Sequence, residues 1–381
     1  MNWTETTLGD LCRSGNGGIQ TGPFGSQLHA SDYIAEGIPS VMPQNIGDNR
    51  INTEGIARIG QADVQRLSRY LLAEGDIVYS RRGDVERRAL VRAENHGWLC
   101  GTGCLRVRLG DADADPTFVS YLLGTPSCRT WITQHAIGAT MLNLNTSILS
   151  DMPLRLPPVS QQLDIAAVLG TLDDKIAANA AAGRTARELA RLQFELIPST
   201  SKVAMKLGDV LDLKYGKALP ISARIAGTVS VVGSGGPTGT HQEALVPGPC
   251  VVVGRKGSVG SVYWIPKSAF PIDTTFFVEP KRGASLIYCY FLLQSLDLAG
   301  MNSDSAVPGL NRREALALPV TVPLESNLRD ASARAISLFN LAGQYDEECR
   351  VAVGLRDSIL PDLMSGRLRV KDAERHVEDA V

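Results

Sequence analysis

PPVSQQLDIAAVLGTLDDKIAANAAAGRTARELARLQFELI, residues 157–197, reads as one uninterrupted helix. Ser160 stands as its N-cap behind Pro157 and Pro158, and Pro198 stops it. Ile165, Val168, Leu169, Leu172 and Ile176 recur at helical spacing, and Leu189, Leu192 and Leu196 resume that face. At a helical rise of about 1.5 Å per residue this is a rod of ~54 Å, the length of a spacer rather than of a helix inside an ordinary domain.

A second rod lies near the C-terminus. Leu338, Leu341, Tyr345, Glu348, Ala352, Leu355 and Ile359 step alternately by three and four residues, a heptad seam with one charged interruption. Each rod follows a block rich in short β-type runs between Gly and Pro turns, among them Ile77-Val78-Tyr79, residues 105–109, Val251-Val252-Val253, residues 261–265 and residues 275–278. A shorter helical stretch follows in each block, residues 116–135 and 286–298. The order is therefore block, rod, block, rod.

The blocks repeat one another. Leu144-Asn145, Pro153 and Pro157 are answered by Leu310-Asn311, Pro319 and Pro323, each 166 residues on. Leu8-Gly9-Asp10 is answered by Leu207-Gly208-Asp209, and DIVYSRRG from Asp76 by CVVVGRKG from Cys250. Four matches in one order mark an internal duplication. Between these points the blocks differ, as two modules with one scaffold and different targets would.

Composition bounds the rest. A chain of 381 residues with 44% hydrophobic residues holds two domains with real cores. No apolar run approaches the roughly 18 residues of a membrane span, and the N-terminus has no signal-like pattern, so a cytoplasmic location is expected. The seven cysteines are scattered and read as free thiols; Cys100 and Cys104 lack the second pair a zinc site needs. The net charge of −2 argues against a nucleic-acid binder that uses its whole surface, but not against a local basic groove.

At this point the chain resembles the specificity subunit of a type I restriction–modification system over nearly its full length. The segments LRLPPVSQQLDIAAVLGTLDDKI (154–176) and LRDSILPDLMSGRLRV (355–370) carry the resemblance. It implies an α+β chain: two homologous mixed α/β target recognition domains, separated by two long antiparallel, coiled-coil-like helices in a pseudo-two-fold repeat. The expected boundaries are 1–157 for the first recognition domain, 158–199 for the central spacer helix, 200–323 for the second domain, 324–368 for the C-terminal helix and 369–381 for a tail. Each domain would read one half of a bipartite duplex DNA target. The helices would set the gap and dock two copies of a methyltransferase subunit, and a restriction/translocase subunit would join them. S-adenosylmethionine, ATP and Mg²⁺ would be bound by those partners, and no catalytic residue or metal site is expected in this chain. The alternative is a non-DNA adaptor, with two β-rich binding modules on a helical spacer.

Candidate DNA-contacting residues follow from side-chain chemistry. Arg81, Arg82, Arg87 and Arg88 in RRGDVERR, with Arg255 and Lys256 at the matched point and Lys214 and Lys217 at the opening of block two, suit phosphate contact. Side chains with hydrogen-bonding capacity in the expected loops suit base edges: Thr21, Gln27, Gln44 and Asn45 in block one, and Ser234, Thr238, His241, Thr274 and Thr275 in block two. Asn143, Asn145, Asn311 and Arg312 sit in repeat-matched loops, where asparagine serves equally well as a turn former. Asp273, Glu279 and Lys281 mimic a nuclease signature, but Pro280 would spoil the strand that signature needs. The glycine-rich stretches near Ser234 and Gly254 do not fit a phosphate-binding loop.

Overall fold

In the computed structural model, which describes residues 3–138, 140–301 and 309–378, the chain forms two compact units. One comprises residues 1–176 with 350–381, and the other residues 177–349. The fold is α+β, as the sequence implies. Both rods are continuous helices, Val159–Glu195 and Glu325–Ser365, and each contributes a stretch to both units.

The first unit is built on a four-stranded antiparallel sheet in the order Asn16–Thr21, Cys104–Gly110, Ile77–Ser80, Arg88–Leu90. Alternation along the Cys104–Gly110 strand explains its placement. Leu105, Val107 and Leu109 are buried in the core, while Arg108 leaves by the other face and pairs with the carboxylate of Asp76 at 2.6 and 2.7 Å. A second small sheet joins Tyr33–Ile34, Ala57–Ile59, Ile38–Val41 and Leu99–Cys100. A two-stranded ribbon, Thr4–Thr7 with Pro153–Leu156, closes the unit beside the first rod.

The second unit repeats this framework. Its main sheet runs Leu211–Tyr215, Thr275–Pro280, Cys250–Gly254, Val262–Ile265, the same order of equivalent strands. Its ribbon pairs Lys202–Lys206 with Pro319–Pro323. Main-chain bonds outside the strands recur too. Leu8 N–H donates to Met152 as Leu207 does to Leu318, and Gly22 to Cys104 as Gly216 does to Thr275. Arg81 donates to Gly103 as Arg255 does to Thr274, and Leu144 to Arg81 as Leu310 does to Arg255. The duplication read in the sequence is therefore a duplication of hydrogen bonding.

Several local expectations change. The stretch 116–135 is two helices, Pro116–Leu123 and Pro126–His135, because Pro126 forces Thr125 into an extended conformation. The matched helix in the second unit ends at Gln294. The first rod begins at Val159, so Ser160 lies inside its first turn and is not the cap. Residues 370–378 of the expected tail form a helix that buries Ala373 and Val377 in the first unit's core, and residues 379–381 lie outside the described residues.

The rods bury a different seam from the one the large residues trace. In the first unit, Ile165, Val168, Leu169 and Leu172 are buried with Ala352, Ile359 and Leu363, as the periodicity predicts. In the second unit, Leu189, Leu196 and Leu341 are exposed, and Ala186, Ala190, Phe194, Ala331, Ala335, Phe339 and Ala342 are buried in their place. Small residues let two helix backbones approach closely, and the leucines beside them stay outside. Cross-rod bonds within this unit join Asn179 to Glu348 and Gln193 to Arg334, so position rises along one helix as it falls along the other, the antiparallel arrangement.

One repeat-matched position separates the units chemically. In the second unit Phe339 stacks edge-on with Phe291, Tyr290 and Trp264. Its counterpart 166 residues earlier, Asp173, is buried as a carboxylate. It accepts from the Tyr121 hydroxyl at 2.6 Å and from Arg356 Nη1 at 2.8 Å. Burial and then the Asp173 charge hold the Tyr121 hydroxyl well above its ordinary pKa. Burial alone would lower the Arg356 pKa, but Asp173, Asp48 and Asp357 outweigh it and raise it. No helix among the described residues is long and apolar enough to cross a membrane.

Candidate nucleic-acid interface

In each unit, the turn after the third strand of the main sheet carries two adjacent cations. Arg81, Arg82 and Gly83 form it in the first unit, and Arg255, Lys256 and Gly257 in the second. The glycines take positive φ, 74° and 81°, which reverses the chain at that point with no Cβ to strain. Each turn is then pinned from the far side. Arg82 bridges to Asn143 and Lys256 to Gly309, next to the Leu144 and Leu310 bonds already described. Arg82 and Lys256 are exposed.

Arg81 and Arg255 share a second feature. Each guanidinium faces an exposed aromatic ring from the segment at or just past the end of the sheet's edge strand. Arg81 lies 6.0 Å from the centroid of Phe24, and Arg255 lies 5.2 Å from that of Tyr215 and 5.9 Å from that of Phe276, whose ring packs edge-on against Tyr215. Phe24 is 55% exposed and Tyr215 54%. In both arginines Nε is buried with no hydrogen-bond partner, so the ring is the neighbour that steadies the cation. Neither ring stands out in the sequence as a partner of its arginine. Their only signal was an aromatic near a basic turn, and Phe24 lies 57 positions from its arginine.

The other expected contacts divide by what their side chains already do. Gln44, Lys217 and Thr238 are exposed, while Thr21, Asn143, Ser234 and Thr274 are half-buried. Arg87 pairs loosely with Asp84 at 3.6 Å. Lys214 lies 3.3 Å from Asp212 and 3.4 Å from Glu279, and Arg312 donates to Asp212 and to the Leu213 carbonyl. Gln27 accepts from the Tyr70 hydroxyl at 2.9 Å and from Phe24 N–H at 3.2 Å, so it holds the loop that presents Phe24.

The side chains of a further set are engaged within the fold. Asn45 is 1% exposed; its Oδ1 accepts from Met42 N–H and its Nδ2 donates to the Asn52 carbonyl. Arg88 is 3% exposed and donates through Nε to the Ser120 carbonyl at 2.5 Å. It sits on a strand edge facing inward, which the charge cluster in the sequence could not show. His241 is buried and accepts from Ile225 N–H through Nδ1, and Thr275 is fully buried with its hydroxyl on the Ile272 carbonyl. Asn145 and Asn311 are helix N-caps: Asn145 accepts from Ile148 N–H at 2.8 Å and Asn311 from Arg313 N–H at 3.0 Å. Of the two roles open to these asparagines, the capping role is the one observed.

Asp273, Glu279 and Lys281 do not assemble into a nuclease centre: Glu279 faces Lys214, and Lys281 Nζ donates to the Gly208 carbonyl. Among the described residues, no group of His, Cys, Asp and Glu could hold a metal ion. Cys100 and Cys104 are buried. The Cys104 thiol donates to the Val41 carbonyl, and burial pushes the Cys100 pKa up to about 12.

Comparison with known proteins adds to this geometry. Residues 1–182 match the model of the type I restriction modification DNA specificity domain. No functionally curated protein matches the chain. Among solved structures, the type I restriction-modification system S subunit from M. genitalium is similar with a TM-score of 0.62 at 20% identity, over 95% of this chain and 96% of that one. A chain from a study of complex assembly and conformational transition of the type I R-M system has a TM-score of 0.41 at 17% identity, over 96% and 98%. The HsdS subunit from Thermoanaerobacter tengcongensis has 0.37 at 17%, over 96% and 97%. The first of these speaks for the fold over the full length.

Proposed function

We propose that this chain is a type I restriction–modification specificity subunit: its residues 1–182 match the DNA specificity domain of that family, and its second half repeats the framework. Each unit reads one half of a two-part duplex target. The two rods, each shared by both units, act as the spacer and as the seat for partner methyltransferase subunits. A restriction subunit joins that complex, and S-adenosylmethionine, ATP and Mg²⁺ belong to the partners. The chain itself recognises DNA and catalyses nothing.

The observation that carries this reading is the matched pair of basic turns, each with a guanidinium against an exposed ring. Arg82 and Lys256, exposed at the turn tips, contact phosphate and set register without reading sequence. Arg81 and Arg255 approach base edges, and Phe24 and Tyr215 keep them extended while offering an apolar face to the bases. Gln44 and Asn143 in the first unit, and Ser234, Thr238 and Thr274 in the second, supply the hydrogen bonds that differ between targets. An overall charge of −2 means that this local clustering, together with the partners' own charge, provides the attraction.

The test is binding of duplex DNA to the chain assembled with its methyltransferase subunits, measured across salt concentrations. A DNA reader loses affinity linearly on a log–log plot as counterions are released. Replacing Arg82 and Lys256 by Gln should reduce that slope by about two. A slope unchanged by both substitutions removes the turns from the interface.

A further inference from the structure

The first unit contains a cavity of about 440 Å³ that the DNA reading does not use. It lies where the strand bearing Arg88, the helix Pro126–His135 and the C-terminal part of the second rod meet, and its lining includes Asn49, Arg88, Gly124, Pro126 and Arg129. Its polar groups at this end are donors without acceptors. Asn49 is 1% exposed; its Oδ1 accepts from Ser120, and its Nδ2 has no partner. Arg88 spends only Nε on the Ser120 carbonyl, and among the described residues its terminal nitrogens make no hydrogen bond. Arg129 has a buried Nε with no partner. The fully buried Tyr79, paired with Arg88 in the sheet, also has an unpartnered hydroxyl.

The Pro126–His135 helix begins at this cavity, and the Thr125 side chain does not cap it. Its first free N–H groups add positive potential at the same end. The wall also carries two carboxylates, Asp48 and Asp357, and both accept from Arg356. A Cβ on Gly124 would overlap Arg88 Nη2, so a larger residue there would require the guanidinium to shift. Burial lowers the Arg88 pKa most; Tyr79 and Asp48 offset part of this, and the neighbouring Arg129 and Arg356 lower it further. The second unit lacks the arrangement, because Val262 pairs there with Val253 where Arg88 pairs with Tyr79.

We propose that this cavity is an oxyanion site that takes a phosphate-class group between Arg88, Arg129 and the amide of Asn49, at the start of the Pro126–His135 helix. Two guanidinia from separate elements and a carboxamide line the cavity, donors enough for several oxygens of one anion. The bound group neutralises the buried charge and ties the recognition sheet to the second rod. Free phosphate, a nucleotide phosphate and a DNA backbone phosphate share this chemistry.

The test is thermal unfolding of the full chain titrated with inorganic phosphate, and separately with sulfate, at constant ionic strength against chloride. The site predicts a saturable rise in the melting temperature with phosphate and sulfate and none with chloride. Asn49→Asp keeps the acceptor for Ser120 and places a carboxylate in the cavity, and Arg129→Gln removes one cation. Each should weaken phosphate about tenfold or more while leaving the chain folded. No saturable rise overturns the proposal, and so does a rise that both variants retain. Competition by a short duplex assigns the phosphate to the DNA backbone, competition by ATP alone to a nucleotide, and competition by neither to a free anion. Loss of DNA binding with phosphate protection intact would count against the DNA reading and not against this site.

Discussion

Replacing Arg356 by Met should cost about 3–5 kcal/mol of the first unit's stability, the range for breaking a buried ion pair from one side. The magnitude follows from what the substitution leaves behind. Asp173 has a side chain 3% exposed and would keep only the Tyr121 hydroxyl at 2.6 Å and Arg92 at 3.9 Å. Asp48 and Asp357, the other partners of Arg356, are more than half exposed, so their loss adds at most about 1 kcal/mol. The triple variant Tyr121→Phe, Asp173→Leu, Arg356→Met removes the Asp173 carboxylate with its two closest partners and leaves Arg92 paired with Asp174 at 3.4 Å. It should recover to within about 1 kcal/mol of the parent, since an apolar replacement of a buried pair is often neutral or stabilising. The second unit already uses this solution, with Phe339 and Phe291 at the matched place. Urea unfolding followed through Trp98 and Trp131, with hydrogen exchange across residues 162–176 to localise the change, gives both numbers. A loss below about 1 kcal/mol in Arg356→Met, or a triple variant as weak as the single one, would refute the reasoning.

Three more outcomes follow from the same contacts. Asn145→Ala removes the cap on Ile148 N–H and should cost about 1 kcal/mol by urea denaturation, with no change in DNA preference if capping is its whole role. Asp212 is held below its ordinary pKa: burial would raise it, but hydrogen bonds from Lys214 and Arg312 prevail. A depressed carboxylate stabilises above its unfolded value of about 3.9 and loses that contribution as pH falls through its folded value, so exchange protection near Leu213 should drop only on acidifying below about pH 4 and should not change between pH 6 and 8. Deleting one heptad from each rod shortens the spacer by about 10 Å, equivalent to roughly three base pairs, and should narrow the gap between half-sites without altering either half. Methylation of DNA substrates with graded gaps reads that shift, and an unchanged optimum would show that the rods do not set the distance.

The framework of this molecule was legible because its determinants are local. A hydrophobic period, a capping asparagine and a Pro–Pro helix start each leave a mark within a few residues, and the duplication doubles every mark. Leu144-Asn145 and Leu310-Asn311 were visible as a pair, and both turn out to pin the basic turns. Side-chain direction was not legible. Four arginines stand together in RRGDVERR, yet one strand places Arg88 inward and the turn before it places Arg82 outward. The rods mislead similarly: leucines mark hydrophobicity, but Ala186, Ala190, Ala335 and Ala342 occupy the contact because only they let the helices close. Phe24 and Tyr215 were missed because their role depends on an arginine far along the chain. The Asp173 network was missed because a single aspartate in a helix gives no sign of being buried.

Methylation mapping of genomic DNA from cells carrying the complete complex tests the central claim most directly, run for the parent chain and for a variant with Ser234, Thr238 and Thr274 replaced by Ala. The parent should methylate one two-part motif with a fixed gap, and the variant should alter or relax one half while keeping the other half and the gap. A continuous motif in the parent, or simultaneous change of both halves in the variant, would contradict two units that each read their own half.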